Sequence, residues 1–280
     1  MLFRSIPYFV IAYFRRFTAV VLSSPDLLAL DFDGVICNGL QEYFQVAWET
    51  YCTVWKREDK TPPEAIAQRF GPLRAVIETG WEMPILIHGL VKGLDDETLF
   101  GQWNTVKRGL IKECPIDGPH LGEALDRCRD HWIKTDLDGW LELHQFYPGI
   151  LEQLQRWLNE ELPLFIITTK EARFARQLLE QAGITMPKST IFGKGEHRPK
   201  WQTLALLSDI EDVRQVWFVE DRLLTLHSVA DQPELAGIGL FLADWGYNRP
   251  SDRQSAKDSK NIHLIDLDQF NGKFDSWLAP

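Results

Sequence analysis

Short apolar runs alternate with helical patterns along much of the chain, and this alternation limits the possible folds more than any other feature. Five runs are too short and too rich in β-branched or aromatic residues for helices, which is typical of buried parallel strands. The runs cover residues 27–30, 164–168, 190–192, 216–219 and 239–243. Helical patterns cover residues 150–161, 170–182, 200–207 and 222–230. The alternation predicts an α/β fold with a doubly wound parallel sheet.

The connection between the first two predicted strands is too long for one crossover helix. Candidate helices cover residues 40–55, 65–78, 95–111 and 118–134. Because a parallel crossover needs only one helix, four of them predict an inserted helical domain. We therefore predict an α/β core from residues 26–37 and 148–280, and a helical insertion, hereafter the cap, over residues 38–147. Residues 1–25 form an apolar N-terminal extension.

Composition excludes several classes of protein. The 280 residues suit one large domain or two modest ones, and 30 Lys and Arg against 40 Asp and Glu give a net charge of −10. This acidic balance repels polyphosphate backbones, so we expect no nucleic-acid partner. The four cysteines form no C-x-x-C pair, which argues against structural zinc and indicates free thiols in a reducing compartment. The expected location is cytoplasmic.

The N-terminal extension is apolar, but Arg15 and Arg16 interrupt it. Its uncharged stretch is shorter than the roughly 20 residues that cross a bilayer, so we expect no integral membrane span. The arginines also argue against a signal peptide. The favoured interpretation is an amphipathic helix packed on the body, and the alternative is a helix lying on a membrane surface.

Polar side chains follow four of the predicted strands at their carboxyl ends, where open α/β sheets bind ligands. They are Asp31 and Asp33 after the first strand, Thr168 and Thr169 after the second, Lys200 after the third, and Glu220 and Asp221 after the fourth. Each alone is more often a cap, a turn residue or a surface charge. Together they predict one site on this edge of the sheet, hereafter the rim.

The chemistry of such a rim follows from its charges. Crowded carboxylates repel unless a cation lies between them, and oxygen-only ligands suit Mg²⁺. A carboxylate can attack phosphorus to form an aspartyl-phosphate, and a second acid can protonate the leaving oxygen and then deprotonate water. Thr168 and Lys200 would donate to the phosphoryl oxygens, and the backbone N–H near Thr169 would add to that cradle.

The same strand ends carry a family resemblance over roughly residues 26–250. LLALDFDGVIC resembles the D-x-D-G-V nucleophile motif of the haloacid dehalogenase superfamily, and FIITTK resembles its second motif. Lys200 in HRPKWQTL resembles the third-motif lysine, and VWFVEDR resembles the acidic fourth motif. GLFLADWGYN is similar to the fifth strand and loop of phosphoglycolate-phosphatase-like members.

The resemblance implies Asp31 as the nucleophile and Asp33 as the general acid/base. It implies Mg²⁺ bound by Asp31, the carbonyl of Asp33 and Asp221, with Glu220 assisting. The helical insertion resembles the mobile cap of the phosphoglycolate phosphatase and β-phosphoglucomutase branch. Such caps close over the substrate and exclude water.

Some assignments stay open at the level of sequence. Pro199 precedes Lys200 instead of following it, so Lys194 is an alternative for the phosphate-binding lysine. In the cap, Arg69 or Arg74 would hold a second anionic group of the substrate, because guanidinium pairs bidentately with carboxylate or phosphate. The alternative is that both are solvated surface arginines.

The leading functional interpretation is a Mg²⁺-dependent phosphatase that hydrolyses a small phosphate monoester through an aspartyl-phosphate. By resemblance, 2-phosphoglycolate is the favoured substrate. A phosphomutase of the β-phosphoglucomutase type and a non-enzymatic regulatory protein on the same fold are the alternatives. The expected partner is a small phosphorylated metabolite, and the chain is expected to be a monomer or a homodimer.

Overall fold

The computed structural model describes residues 24–278, which include eight strands. In chain order the strands are β1 (Leu27–Leu30), β2 (Cys37–Asn38), β3 (Gln145–Phe146), β4 (Leu164–Ile167), β5 (Ile191–Phe192), β6 (Val216–Glu220), β7 (Gly239–Ala243) and β8 (Ile262–Ile265). Six of them form a sheet of order β5-β4-β1-β6-β7-β8, and every neighbouring pair in it is parallel. The predicted doubly wound parallel sheet is confirmed.

Thirteen α-helices lie within the described residues. They are α1 (Leu40–Val54), α2 (Glu64–Leu73), α3 (Glu82–Val91), α4 (Asp96–Leu110), α5 (Gly118–Thr135), α6 (Leu137–Glu142), α7 (Ile150–Asn159), α8 (Ala172–Gln181), α9 (Lys200–Ser208), α10 (Leu223–Ala230), α11 (Pro250–Lys257), α12 (Leu267–Asn271) and α13 (Phe274–Trp277). Short 3₁₀ turns supplement them, and one, Arg74–Val76, directly continues α2.

Among the described residues, five helices and three strands were not predicted from the sequence: α3, α6, α11, α12, α13, β2, β3 and β8. Helix α3 (EMPILIHGLV) is buried over nearly its whole length, so it lacks the polar face that gives a helical period. Strand β8 is a short edge strand that carries His263, and it follows a polar run.

Hydrophobic side chains cover both faces of the sheet. In β1, Leu28 and Leu30 pack in a cluster with residues of α7 and α8, while Leu27 and Ala29 pack on the opposite face with residues of α9 and α10. This alternation follows from the period of two along a strand. The central strand is therefore buried on both sides, as expected of a doubly wound sheet.

The cap has a hydrophobic cluster of its own. Its fully buried members lie between Tyr43 and Leu125, on α1 to α5 and the turns between them. Helix α6 differs, because Trp140 and Leu141 pack in a cluster of the sheet domain although the sequence analysis includes them in the cap. The chain leaves and re-enters the core through an antiparallel ribbon in which β2 pairs with β3.

No helix among residues 24–278 combines the length and the apolar character needed to cross a membrane. The predicted N-terminal extension lies outside the described residues, except for Ser24 and Pro25. All four cysteines are free.

Candidate active site

Asp31 follows β1 at the point where the order of the sheet reverses. Strand β1 lies between β4 and β6, so the crossovers leave in opposite directions and open a crevice at its carboxyl end. The Asp31 backbone N–H donates to the carbonyl of Val219 at 2.9 Å, which continues the pairing with β6. The N–H of Phe32 donates to Asp31 Oδ1 at 2.7 Å. The buried carboxylate is thus fixed by backbone contacts.

Gly34 is required by the turn that follows. Its φ is +91°, in the left-handed region that favours glycine. A Cβ at this position would lie 2.0 Å from Asp221 Oδ2, so a side chain would also displace that carboxylate. The glycine of the D-x-D-G motif therefore allows the turn after β1 to approach the acid after β6.

Lys200, at the start of α9, lies between two buried carboxylates. Its Nζ is 2.7 Å from Asp31 Oδ1 and 2.8 Å from Glu220 Oε2. Burial lowers the pKa of Lys200, but the charges of Asp31 and Glu220 outweigh it and raise the pKa above its ordinary value. Burial raises the pKa of Asp31, and the neighbouring Glu220 raises it further while Lys200 opposes the rise.

The loop after β7 positions Asp221. The backbone N–H of Tyr247 donates to Asp221 Oδ2 at 2.7 Å, and Asn248 Nδ2 donates to the Asp221 carbonyl at 3.1 Å. Burial raises the pKa of Asp221, and the charge of Asp31 adds to the rise. The W-G-Y-N segment of the sequence is thus a scaffold for the acid at the rim.

Three of the predicted metal ligands come together at the rim. Asp31, Glu220 and Asp221 are all buried, and one oxygen of each lies within 4.8 Å of the others. Oxygen-only donors at this spacing fit Mg²⁺, and the raised pKa values of all three acids reflect burial and repulsion that a divalent cation would relieve. The carbonyl of Asp33 as a further ligand stays a prediction.

Asp33 is paired with Lys170, which is not among the residues predicted for the site. Lys170 Nζ lies 3.3 Å from Asp33 Oδ1, and both side chains are largely buried. The ammonium also lies 5.6 Å from the ring centroid of Tyr43 and 5.8 Å from that of Trp140. Lys170 comes two residues after Thr168. Its position just after the end of β4 is the one sequence feature that could have marked it as a site residue.

Thr168 and Thr169 are at the end of β4, as predicted. Thr168 is buried, and its Oγ1 accepts a hydrogen bond from the backbone N–H of Lys170 at 3.1 Å. Thr169 is exposed and lines the cavity above the rim. The turn after β4 therefore brings a hydroxyl and a cation to the same edge as Asp31.

A cavity of about 360 Å³ separates the rim from the cap. Its lining from the core includes Asp31, Asp33, Thr169, Lys200, Glu220, Asp221, Arg222 and Tyr247, and its lining from the cap includes Tyr43, Arg74, Ile77 and Glu78. The Arg74 guanidinium lies 5.0 Å from the ring centroids of both Tyr43 and Tyr247. Burial lowers the pKa of Arg222, and the nearby charge of Arg74 lowers it further.

The architecture is similar to that of several solved structures. A proposed phosphatase from Clostridium difficile is 16% identical, with a TM-score of 0.55 over 88% of this chain and 97% of that one. A proposed haloacid dehalogenase-like hydrolase from Bacteroides fragilis is 15% identical, with a TM-score of 0.53 over 88% of this chain and 99% of that one. The chain has the haloacid dehalogenase-like fold.

A predicted phosphoglycolate phosphatase from Haemophilus somnus shares this fold at 15% identity, with a TM-score of 0.51 over 80% of this chain and 87% of that one. No family model and no curated protein matches the sequence. The haloacid dehalogenase-like fold is therefore recognised from the tertiary structure, together with the residue-level resemblance of the strand-end motifs.

Two residues predicted for the site lie elsewhere. Arg69 donates to Asp96 Oδ1 at 2.8 Å and to the carbonyl of Leu94, so its guanidinium is held on the cap away from the cavity. Lys194, the alternative phosphate-binding lysine, forms an ion pair with Asp126 of α5 at 2.7 Å. Of the two candidate lysines, only Lys200 contacts Asp31.

Proposed function

We propose that the protein is a Mg²⁺-dependent phosphatase of the haloacid dehalogenase superfamily that hydrolyses a small phosphate monoester. The observation that carries the proposal is the convergence of Asp31, Asp33, Lys200 and Asp221 on one cavity beneath the cap. A volume of about 360 Å³ is at the lower end of the range for small-molecule sites. It suits a metabolite of a few carbon atoms better than a polymer.

In the first step, an oxygen of Asp31 attacks the phosphorus of the bound ester. The new Asp31 oxygen–phosphorus bond forms as the bond from phosphorus to the alcohol oxygen breaks, and Asp33 gives that oxygen its proton. Lys200, 2.7 Å from the attacked carboxylate, is placed to hold charge on the phosphoryl oxygens. The product of this step is an aspartyl-phosphate and a free alcohol.

In the second step, water attacks the phosphorus of the aspartyl-phosphate. Asp33 accepts a proton from the water, and the bond between Asp31 and phosphorus breaks to release inorganic phosphate. The oxygens of Asp31, Glu220 and Asp221 would hold Mg²⁺, which when bound stabilises the negative charge of the transferring phosphoryl group.

Contacts between the cap and the core support water exclusion during these steps. Arg222 of the core donates to the carbonyl of Ala75 in the cap at 3.4 Å, and Tyr247 of the core packs edge-on against Tyr43 of the cap. A site covered in this way favours transfer of the phosphoryl group to Asp31 and controls the access of water.

The test is hydrolysis of p-nitrophenyl phosphate with and without Mg²⁺. We expect Asp31→Asn to lower kcat by about a thousandfold or more, because it removes the nucleophile. Asp138→Asn, which changes an exposed acid on α6, is the matched control and should match wild type. Equal, slow phosphate release by wild type and Asp31→Asn would contradict the proposal. Isomerisation of a sugar phosphate without phosphate release would indicate a phosphomutase instead.

A further inference from the structure

Lys170 is a buried cation that the two proposed reaction steps do not use. Its side chain is 7% exposed, and its Nζ lies 3.3 Å from Asp33 Oδ1. Asp33 lines the cavity beneath the cap, whereas Lys170 is not among the described residues that line it. An effect of Lys170 on the bound substrate would therefore pass through Asp33.

Lys170 is held in place before any substrate arrives. Its backbone N–H donates to Thr168 Oγ1 at 3.1 Å, and its carbonyl accepts from the N–H of Lys194 at 2.9 Å. Its ammonium lies 5.6 Å from the ring centroid of Tyr43 and 5.8 Å from that of Trp140. Aromatic faces at such distances attract a cation, so both ends of the residue are fixed.

The other titratable groups near Lys170 do not need its charge. Glu42, on cap helix α1, already forms an ion pair with Arg129 at 2.6 Å. His144 is neutral near pH 7, since burial and then the charge of Lys170 lower its pKa to about 4. Asp33 Oδ1, in contrast, is buried without a hydrogen bond, and within residues 24–278 its one ion-pair partner is Lys170. The charge of Lys170 therefore acts mainly on Asp33.

The orientation of the Asp33 carboxylate decides whether it can exchange a proton with the reacting oxygen. Its Oδ1 is turned toward Gly39 at the start of the cap, where an added Cβ would lie 3.6 Å from it. The ammonium of Lys170 holds this oxygen, so that Oδ2 is left for the leaving oxygen in the first step and for water in the second. We infer that Lys170 is a positioning residue that orients the Asp33 carboxylate for both proton transfers. This inference rests on the proposed phosphatase activity.

Lys170→Met tests this role, because it keeps a side chain of similar length and removes the charge. The p-nitrophenolate ion leaves without a proton, so its release from p-nitrophenyl phosphate needs little help from Asp33. Hydrolysis of the aspartyl-phosphate does need Asp33 as the base. We therefore expect kcat for this ester to fall by about a hundredfold and kcat/KM by less than about tenfold, because kcat/KM reports only the steps through p-nitrophenolate release.

Ethyl phosphate gives the complementary measurement. Ethoxide is a poor leaving group, so the alcohol oxygen departs only with a proton from Asp33, and kcat/KM for this ester should fall by about a hundredfold in Lys170→Met. A loss of folded protein lowers kcat/KM for both esters by the same factor and cannot produce this difference. Lys188→Met, at an exposed position in the turn before β5, is the matched control and should keep the wild-type values.

Asp33→Asn shows whether Lys170 acts through Asp33. In that background, adding Lys170→Met should change kcat/KM for ethyl phosphate by less than about threefold, because the group that Lys170 positions is gone. A loss as large as in the wild-type background would show that Lys170 acts independently of Asp33 and would overturn the inference.

The two proposals fail in different ways. Mg²⁺-dependent hydrolysis in which Lys170→Met keeps wild-type kinetics, or lowers kcat/KM for both esters equally, would overturn the inference and leave the phosphatase proposal intact. If wild type hydrolyses only p-nitrophenyl phosphate, equal losses in kcat and kcat/KM in Lys170→Met would overturn the inference. No hydrolysis of either ester by wild type would overturn both.

Discussion

Replacing Lys200 by Met tests the electrostatic account of the rim most directly. The side chain is similar in size, but the change removes the only positive charge that contacts both Asp31 and Glu220 among the described residues. Two buried carboxylates then face each other and Asp221 without compensation. Lys194→Met is the matched control, because it breaks an ion pair of equal length, 2.7 Å, at a half-exposed position.

The expected loss of stability follows from the distances of Lys200 Nζ to Asp31 Oδ1 and to Glu220 Oε2. At separations of 2.7 and 2.8 Å and an effective dielectric constant of about 20, each pair has a Coulomb energy of about 6 kcal/mol. Most of this Coulomb energy offsets the cost of removing the charges of Lys200, Asp31 and Glu220 from water. Breaking a buried pair from one side costs about 3–5 kcal/mol net, which corresponds to a fall in Tm of roughly 6–20 °C. The exposed pair of Lys194 contributes about 0–1 kcal/mol.

The difference in stability between wild type and Lys200→Met should depend on pH. Burial already raises the pKa of Asp31 and of Glu220, and Lys200 lowers both, so its removal raises them further. An acid whose pKa is higher in the folded than in the unfolded protein destabilises the fold once it ionises. The Lys200→Met variant should therefore regain stability relative to wild type as the pH falls from 7.5 to 5.

The assay is thermal unfolding at pH 7.5 and pH 5, with and without Mg²⁺, followed by phosphatase kinetics. We expect Mg²⁺ to narrow the gap in Tm at pH 7.5, because bound cation replaces the missing charge. Activity of Lys200→Met should fall by about a hundredfold. A gap in Tm that does not change with pH, or a larger loss of activity in Lys194→Met, would refute the reasoning.

Three further changes test other parts of the structure. Gly34→Ala should destabilise the protein by about 1–3 kcal/mol and reduce activity, since the residue has φ +91° and an added Cβ would meet Asp221; unfolding and kinetics measure both effects. Arg129→Met should cost about 3–5 kcal/mol in urea unfolding, because it leaves the buried Glu42 without its ion pair at 2.6 Å. Burial lowers the pKa of His144 to about 4, and the nearby charge of Lys170 contributes to this lowering. Stability should therefore fall as the pH drops from about 6.5 to 4, and His144→Phe should remove about 3 kcal/mol of that fall.

Each of these changes has an outcome that would contradict it. Wild-type activity in Gly34→Ala would show that the turn after β1 tolerates a side chain. Arg127→Met, an exposed change on the same helix as Arg129, is the control for charge alone and should be neutral. A loss of stability in Arg129→Met no larger than in Arg127→Met would contradict the account of Glu42. An unchanged pH dependence in His144→Phe would mean that this imidazole titrates normally.

The sequence predicts the rim because strand ends in a parallel sheet are ordered by the chain itself. Asp31 and Glu220 follow buried apolar runs, so the positions of the runs alone place both acids at one edge. The same rule could have selected Lys170 and Arg222, each next to a predicted residue. Helix α3 gave no periodic signal because nearly every side chain in it is buried.

The sequence by itself determined the order of five strands of the sheet and the acids at its rim, because hydrophobic period and strand-end position are local properties. Only the tertiary structure shows that Arg74, and not Arg69, lines the cavity. The chain passes from α2 into a 3₁₀ turn between them, so one guanidinium meets Asp96 and the other lies between Tyr43 and Tyr247. That choice depends on how the cap packs on the core, and such contacts join residues far apart in the chain.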